Sequence, residues 1–311
     1  MSKIKTVAVI GSGTIGASWA ALFIGHGHDV IATDPGPDAE ARMRAFVARA
    51  LPNAKPEKSI EPGSLTFAAT SEEAAANADL IQENAPERAD LKADLIARLE
   101  AAAPPHCIIA SSTTAFPQST IAMKAKDKTR VIVAHPFNPP HLVPLVELVG
   151  VTPDAPAVLA AYQFYKSLGR EPVILKKEAV GHLANRLQGA LMREAMYCLE
   201  QGIAGVEDID RALRFGPGLR WAFMGAFQTY HLAGGAGGIR HYFKHLGASQ
   251  TQRWAALGTP NLTPEFEARA IAGVEAMIGD RTIADLEAER DRALIGIVAA
   301  AKAARSVIGF E

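Results

Sequence analysis

Cysteine is nearly missing from this chain: Cys107 and Cys198 are the only two, each inside an apolar stretch. They form no C-x-x-C pair and show no metal-ligand spacing. That excludes a disulfide scaffold and a zinc module, and fits reduced core thiols in the cytoplasm. An excess of charge of either sign is also missing, with 32 Lys and Arg against 33 Asp and Glu. A nearly neutral chain has no overall field to draw nucleic acid or an anionic membrane, so neither is expected as a partner. No run of 18 apolar residues occurs, which predicts no transmembrane helix. The run Val7–Ile10 is broken at once by Gly11, too early for a secretory signal. What is there is ordinary for a globular protein: 311 residues, 49% hydrophobic and 21% charged, enough for one large or two smaller domains.

Short apolar runs alternate with helical spacing over the first half. Strands are expected at 4–10, 29–33, 65–69, 79–83 and 107–111, with helices at 14–26, 38–51, 71–77 and 86–102 between them. The Pro- and charge-rich segment 52–63 reads as a loop or a loose helical hairpin. Such alternation predicts a parallel sheet covered on both faces. Past Lys177 no strand pattern follows, and helices are expected at 180–201, 206–215, 221–232, 239–246, 264–279 and 282–306. The expected fold is therefore α/β: a Rossmann-type, doubly wound, mostly parallel sheet over 1–179, then a smaller all-α domain over 180–311.

Gly11-Ser-Gly13-Thr14-Ile15-Gly16 is a G-x-G-x-x-G. The pattern alone is weak, because glycines are common. Here it follows a strand, opens a helix, and is followed by a strand ending at Asp34. Gly11 permits the tight turn, Gly13 lets backbone approach a pyrophosphate, and Gly16 allows helix and strand to pack closely. The helix start supplies N–H donors to phosphate. Asp34 can accept from a ribose 2′-hydroxyl but would repel a 2′-phosphate, and Pro35, Gly36 and Pro37 follow it with no base nearby. NAD is favoured over NADP, with FAD a lesser alternative.

A second constellation lies in the stretch AHPFNPPHLVPLVELV at 134–149. Arg130–Ala134 and Leu145–Val149 read as buried strands, the first ending at His135 and the second carrying Glu147 in its middle. A carboxylate in such a strand needs a partner, since burying it unpaired is costly. His135 is the available one, and a His held by a carboxylate suits proton transfer. A purely structural His–Glu pair satisfies the same pattern.

The motifs GSGTIG at 11–16, ENAPE at 83–87, SSTT at 111–114, HPFNP at 135–139, VELV at 146–149 and GHLANR at 181–186, taken as a set, resemble the L-3-hydroxyacyl-CoA dehydrogenase family over nearly the whole chain. The resemblance implies NAD-dependent oxidation of a 3-hydroxyl. It implies His135 as base and acid, Glu147 as its orienting carboxylate, Asn185 as a ligand of substrate oxygen, and Asn138 as a polar ligand near nicotinamide and substrate. It also assigns Thr14, Ile15, Glu87, Lys92 and Ser112 to the cofactor. One position departs: the fourth place of the S-x-T-S motif is commonly Ser and here is Thr114, which keeps a hydroxyl but adds a methyl to the pocket.

The segment 216–241 is similar to a shorter-substrate branch of that family, whose members act on L-carnitine or L-gulonate, the L-gulonate enzyme also being accumulated as lambda-crystallin. L-Carnitine is the substrate implied first, with L-gulonate and 3-hydroxyacyl-CoA as alternatives. A quaternary ammonium is held by aromatic faces and a carboxylate by a guanidinium. Arg220, Trp221, Phe223, Phe227 and Tyr230 cluster here, in a chain only 6% aromatic. Aromatics at helical spacing also suit a plain core. A homodimer through the helical domain is expected, with a small 3-hydroxy acid as the substrate. The competing class is a non-enzyme, either a crystallin-like structural protein or an NAD sensor, which would have no need of a paired His and Glu.

Overall fold

The computed structural model describes residues 4–56 and 60–308. The chain divides into two compact units, residues 1–186 and 187–311.

Unit one is built on a single eight-stranded sheet. Its strands are β1 (Thr6–Ile10), β2 (Asp29–Thr33), β3 (Leu65–Phe67), β4 (Leu80–Glu83), β5 (Ile108–Ser111), β6 (Val131–Pro136), β7 (Leu145–Val149) and β8 (Glu171–Ile174), in spatial order β3-β2-β1-β4-β5-β6-β7-β8. All neighbours are parallel except β6 and β7. The central strands are buried on both faces, which is why β1, β5 and β6 read as largely apolar runs rather than as alternation, while β4 buries Gln82 and Glu83 at its carboxyl end. Two hydrophobic clusters flank the sheet. One includes Trp19, Leu22 and Phe23 of α1 (Thr14–Gly25), Met43 and Val47 of α2 (Ala39–Ala54), and Phe164 and Tyr165 of α6 (Pro156–Ser167). The other includes Ala74 and Ala75 of α3 (Ser71–Ala75), Ile96 and Leu99 of α4 (Ala89–Ala102), and Ile121 of α5 (Gln118–Ile121). Strand order reverses direction between β1 and β4, and ligands of doubly wound sheets bind outside the carboxyl ends of the strands at that point.

Three details depart from the sequence expectation. The helix placed at 38–51 runs on through Pro52 to Ala54, packing Ala50 and Ala54 against α1. The pair β6/β7 is antiparallel. Strand β8 and helix α6 were not anticipated; β8 is an edge strand carrying Glu171 and Pro172, whose half-exposed pattern carries little signal.

From α7 (Ala184–Glu200) onward the chain is helical: α8 (Val206–Phe215), α9 (Pro217–Trp221), α10 (Ala226–Ala233), α11 (Gly238–Ala255), α12 (Pro264–Ile278) and α13 (Ile283–Ile308). The expected single helix 221–232 is two helices interrupted at 222–225, and the helix expected at 239–246 continues to Ala255. No helix among the described residues is long and apolar enough to cross a membrane.

Candidate active site

The antiparallel register makes His135 and Glu147 direct cross-strand partners. Their side chains meet on one face of the sheet: His135 Nδ1 lies 2.9 Å from Glu147 Oε2, and the residues are 2% and 1% exposed. A carboxylate can only accept, so Nδ1 carries the proton and Nε2 presents its lone pair. The second carboxylate oxygen has another task. Glu147 Oε1 accepts from the backbone N–H groups of Leu183 (2.8 Å) and Ala184 (2.9 Å), at the start of α7. One buried carboxylate thus fixes the imidazole tautomer and caps a helix whose positive end favours an anion. Burial pushes Glu147 up, but the His135 bond, the Ala184 and Leu183 N–H groups and the His135 charge outweigh it and hold the carboxyl below the usual range. Asn185, half-buried, follows that capped turn by one residue. Asn138 is exposed on the connection between β6 and β7.

A second carboxylate organises the turn after β5. Glu87 Oε1 accepts from the Thr113 hydroxyl (2.5 Å), the Thr114 and Ala115 N–H groups (both 2.9 Å) and the Thr114 hydroxyl (3.3 Å). Burial raises Glu87, yet the Thr113 and Ala115 bonds, the charge of Lys92 and the Thr114 N–H bring it below its ordinary value. Lys92 itself is 1% exposed. Its Nζ donates to Glu83 (2.9 and 3.1 Å) and the Ala85 carbonyl (2.9 Å), and stands 3.5 Å from Glu87 Oε2. Lys92 is therefore a buried ion-pair member that acts outward through Glu87, not an open cation. Ser112 is similarly occupied: its hydroxyl accepts from Trp19 Nε1 and Gln82 Nε2 and donates to Asn84 Oδ1, the full capacity of a hydroxyl.

The glycine turn has the shape a pyrophosphate requires. Gly11 takes φ +92°, open to glycine and strained for other residues. A Cβ at Gly16 would sit 1.9 Å from the Gly11 carbonyl oxygen, whereas one at Gly13 would meet nothing within 4 Å. Helix α1 has no side-chain cap and no acidic residue in its first turn. Its leading N–H groups, at Thr14, Ile15 and Gly16, lack intrahelical acceptors and suit an anion. Asp34 is tied into the same turn: Oδ2 accepts from the Ser12 N–H and hydroxyl, and Oδ1 from the Gly36 N–H. Burial raises Asp34, but those bonds and the charge of Arg42 hold it below its usual value. Arg42 comes from α2, eight positions along the chain, so looking for bases among the residues just after Asp34 does not find it.

In the helical unit, Arg220, Trp221 and Tyr230 line one cavity of about 620 Å³ together with Pro217, Met224 and Thr229. Phe223 does not join them; it lines a separate groove with Phe215, Leu219 and Ile297. Phe227 is 85% exposed. The expected aromatic cluster is thus divided, because the chain breaks between α9 and α10. His231 is exposed and accepts from the Ile239 N–H at the start of α11, a capping contact. A further residue that sequence reasoning passed over is His182, buried beside His135.

Comparison with known proteins agrees with this architecture. Residues 6–179 match the model of the 3-hydroxyacyl-CoA dehydrogenase NAD-binding domain, and residues 181–268 match that family's C-terminal domain. L-Carnitine dehydrogenase of Streptomyces griseus is 46% identical over 96% of this chain and 90% of its own length. The enzyme of the same name from Pseudomonas aeruginosa is 45% identical over 100% and 98%. Among solved structures, an NAD-dependent 5-formyl-3-hydroxy-2-methylpyridine 4-carboxylic acid 5-dehydrogenase superposes with a TM-score of 0.79 at 27% identity, covering 99% of this chain and 100% of that one. The (S)-3-hydroxybutyryl-CoA dehydrogenase of Ralstonia eutropha gives 0.61 at 26%, covering 69% and 78%. With both domains matched in order, the chain is an NAD-dependent dehydrogenase acting on a CH–OH group and belongs to the 3-hydroxyacyl-CoA dehydrogenase family.

Proposed function

We propose that this protein oxidises the 3-hydroxyl of L-carnitine to the 3-keto acid, with His135 as the base. The buried His135–Glu147 pair is the observation that carries the chemistry; the name shared by full-length relatives supports the substrate. Bound NAD supplies a hydride acceptor. The residues of the chain handle the proton. Nε2 of His135 takes it from the substrate hydroxyl as the C–H bond gives up its electron pair, and Glu147 opposes the imidazolium charge that results. Asn185 and the Thr114 hydroxyl hold the substrate oxygen. The glycine turn, with Thr14, Ile15 and Gly16, holds the pyrophosphate, Asp34 the adenosine ribose, and Glu87, Ser112 and Asn138 border the nicotinamide half. Within the helical unit taken by itself, Arg220, Trp221 and Tyr230 line one cavity, and a guanidinium beside aromatic rings suits the carboxylate and trimethylammonium groups of such a substrate.

The apolar side chains left uncovered on that unit support a homodimer. Leu187, Phe215, Leu219, Phe227, Phe243 and Trp254 are each at least 60% exposed, more than a soluble monomer usually leaves in one helical unit.

The test is a substrate panel followed at the NADH absorbance band, with L-carnitine, L-gulonate and acetoacetyl-CoA (the last in the reducing direction). L-Carnitine is expected to give the highest kcat/KM. Turnover of acetoacetyl-CoA far above the other two would overturn the substrate assignment.

A further inference from the structure

The residue just before the capped start of α7 is unusual. His182 follows Gly181, and both adopt the left-handed backbone, at φ +51° and +73°. A non-glycine residue there is uncommon and is retained where surrounding contacts demand it. His182 is 1% exposed, and its Nε2 lies 2.9 Å from the Thr113 carbonyl oxygen. A carbonyl only accepts, so Nε2 carries the proton and donates. The His182 ring centre is 5.0 Å from that of His135, tilted by 39°. Burial, more than any other influence, keeps His182 below its usual value; the Thr113 bond opposes this, and His135 adds to it. His182 is thus a neutral donor above about pH 6.5, the ordinary histidine value.

The contact joins two parts of the site. On one side is the turn at 113–115, gripped by Glu87 through the Thr113 hydroxyl and the Thr114 and Ala115 N–H groups. On the other is the His135–Glu147 pair. Without His182, the Thr113 carbonyl loses this donor and the turn relies on the Glu87 grip.

We propose that His182 is a positioning residue: its Nε2–H pins the Thr113–Thr114 turn beside His135, so that the Thr114 hydroxyl and the base address one substrate oxygen together. This rests on the reading of His135 as the base. A small misplacement of reacting groups is enough to lower kcat by about 100-fold.

Two variants separate the donor from the bulk. His182→Phe keeps a ring but has no N–H; His182→Asn keeps an amide donor and tolerates the left-handed backbone. Each is assayed for kcat and KM with saturating NAD, for NADH affinity by fluorescence, and for hydrogen exchange of the 113–115 amides in the ligand-free protein. His182→Phe is expected to lose kcat by about 10- to 100-fold with NADH affinity unchanged within twofold. Exchange at 113–115 should quicken, and His182→Asn should recover part of both losses. Unchanged kcat and exchange in His182→Phe would overturn the proposal. So would equal losses in the two variants accompanied by weaker NADH binding, the signature of a merely structural residue. If His182→Phe does not fold, His182→Ala against His182→Asn makes the same comparison. Should the wild type turn over no 3-hydroxy acid, the dehydrogenase assignment of His135 fails, while the exchange measurement still decides the role of His182.

Discussion

Replacing Glu147 by Gln preserves shape and removes charge, and the geometry around it dictates the cost. The carboxylate accepts three hydrogen bonds, one from His135 Nδ1 and two from the Leu183 and Ala184 N–H groups. An amide has one accepting end. If its oxygen faces His135, its NH2 opposes two backbone donors. If its oxygen faces the helix, its NH2 opposes His135 Nδ1, which then gives up its proton to Nε2 and leaves the wrong tautomer for a base. Two full charges about 4 Å apart interact by about 4 kcal/mol at an effective dielectric near 20. An imidazolium half-formed in the transition state feels about half of that, or roughly 30-fold in kcat, before any penalty for the tautomer. The lost charge-assisted bonds to α7 add about 2–3 kcal/mol of destabilisation. For a domain of this size that is a fall of about 5–10 °C in Tm.

The pH dependence has a definite sign. Glu147 is held below its ordinary 4.5 in the folded protein. Its stabilisation is therefore complete above that value and is lost as pH falls through the lower folded value. The Tm gap between wild type and Glu147→Gln should be widest near neutrality and narrow below about pH 4.5. Steady-state NADH formation gives kcat, NADH fluorescence confirms an intact cofactor site, and melting scans at pH 7 and pH 4 give the gap. A kcat within threefold of wild type, or equal Tm values at pH 7, would refute the double role of Glu147. His135→Gln serves as the control: it should lose turnover without losing the helix cap.

Gly16→Ala and Gly13→Ala should behave oppositely in the absence of ligand. The first drives a Cβ to 1.9 Å from the Gly11 oxygen and should lower both Tm and NADH affinity; the second meets nothing within 4 Å, so Tm should hold while NADH affinity falls about tenfold or more. Wild-type NADH binding by Gly13→Ala would remove that residue from the phosphate wall. Sedimentation equilibrium at micromolar concentration should return twice the 33.0 kDa chain mass, and a monomer would refute the pairing of helical units.

What the sequence made legible was whatever rests on periodicity or on a cost that demands a partner. Strands β1, β5 and β6 are buried on both faces, so each reads as a largely apolar run. Glu147 inside such a run required a cation or donor, and His135 was the available one. What escaped depends on backbone conformation and on long separations. His182 is one letter in a motif; its importance arises from a left-handed φ that turns a buried ring toward a carbonyl 69 residues earlier. The second task of Glu147 depends on N–H groups 36 and 37 residues downstream. The aromatic residues are divided for a local reason: the chain leaves the helix at 222–225, between α9 and α10. Trp221 and Tyr230 still share a cavity and Phe223 does not. In the proposed reading, cation recognition therefore falls to the two aromatic rings of Trp221 and Tyr230, and Arg220 is left for the carboxylate. A Phe223→Ala variant that spares carnitine affinity, while Trp221→Ala abolishes it, is the outcome this division requires; equal losses in the two would refute it.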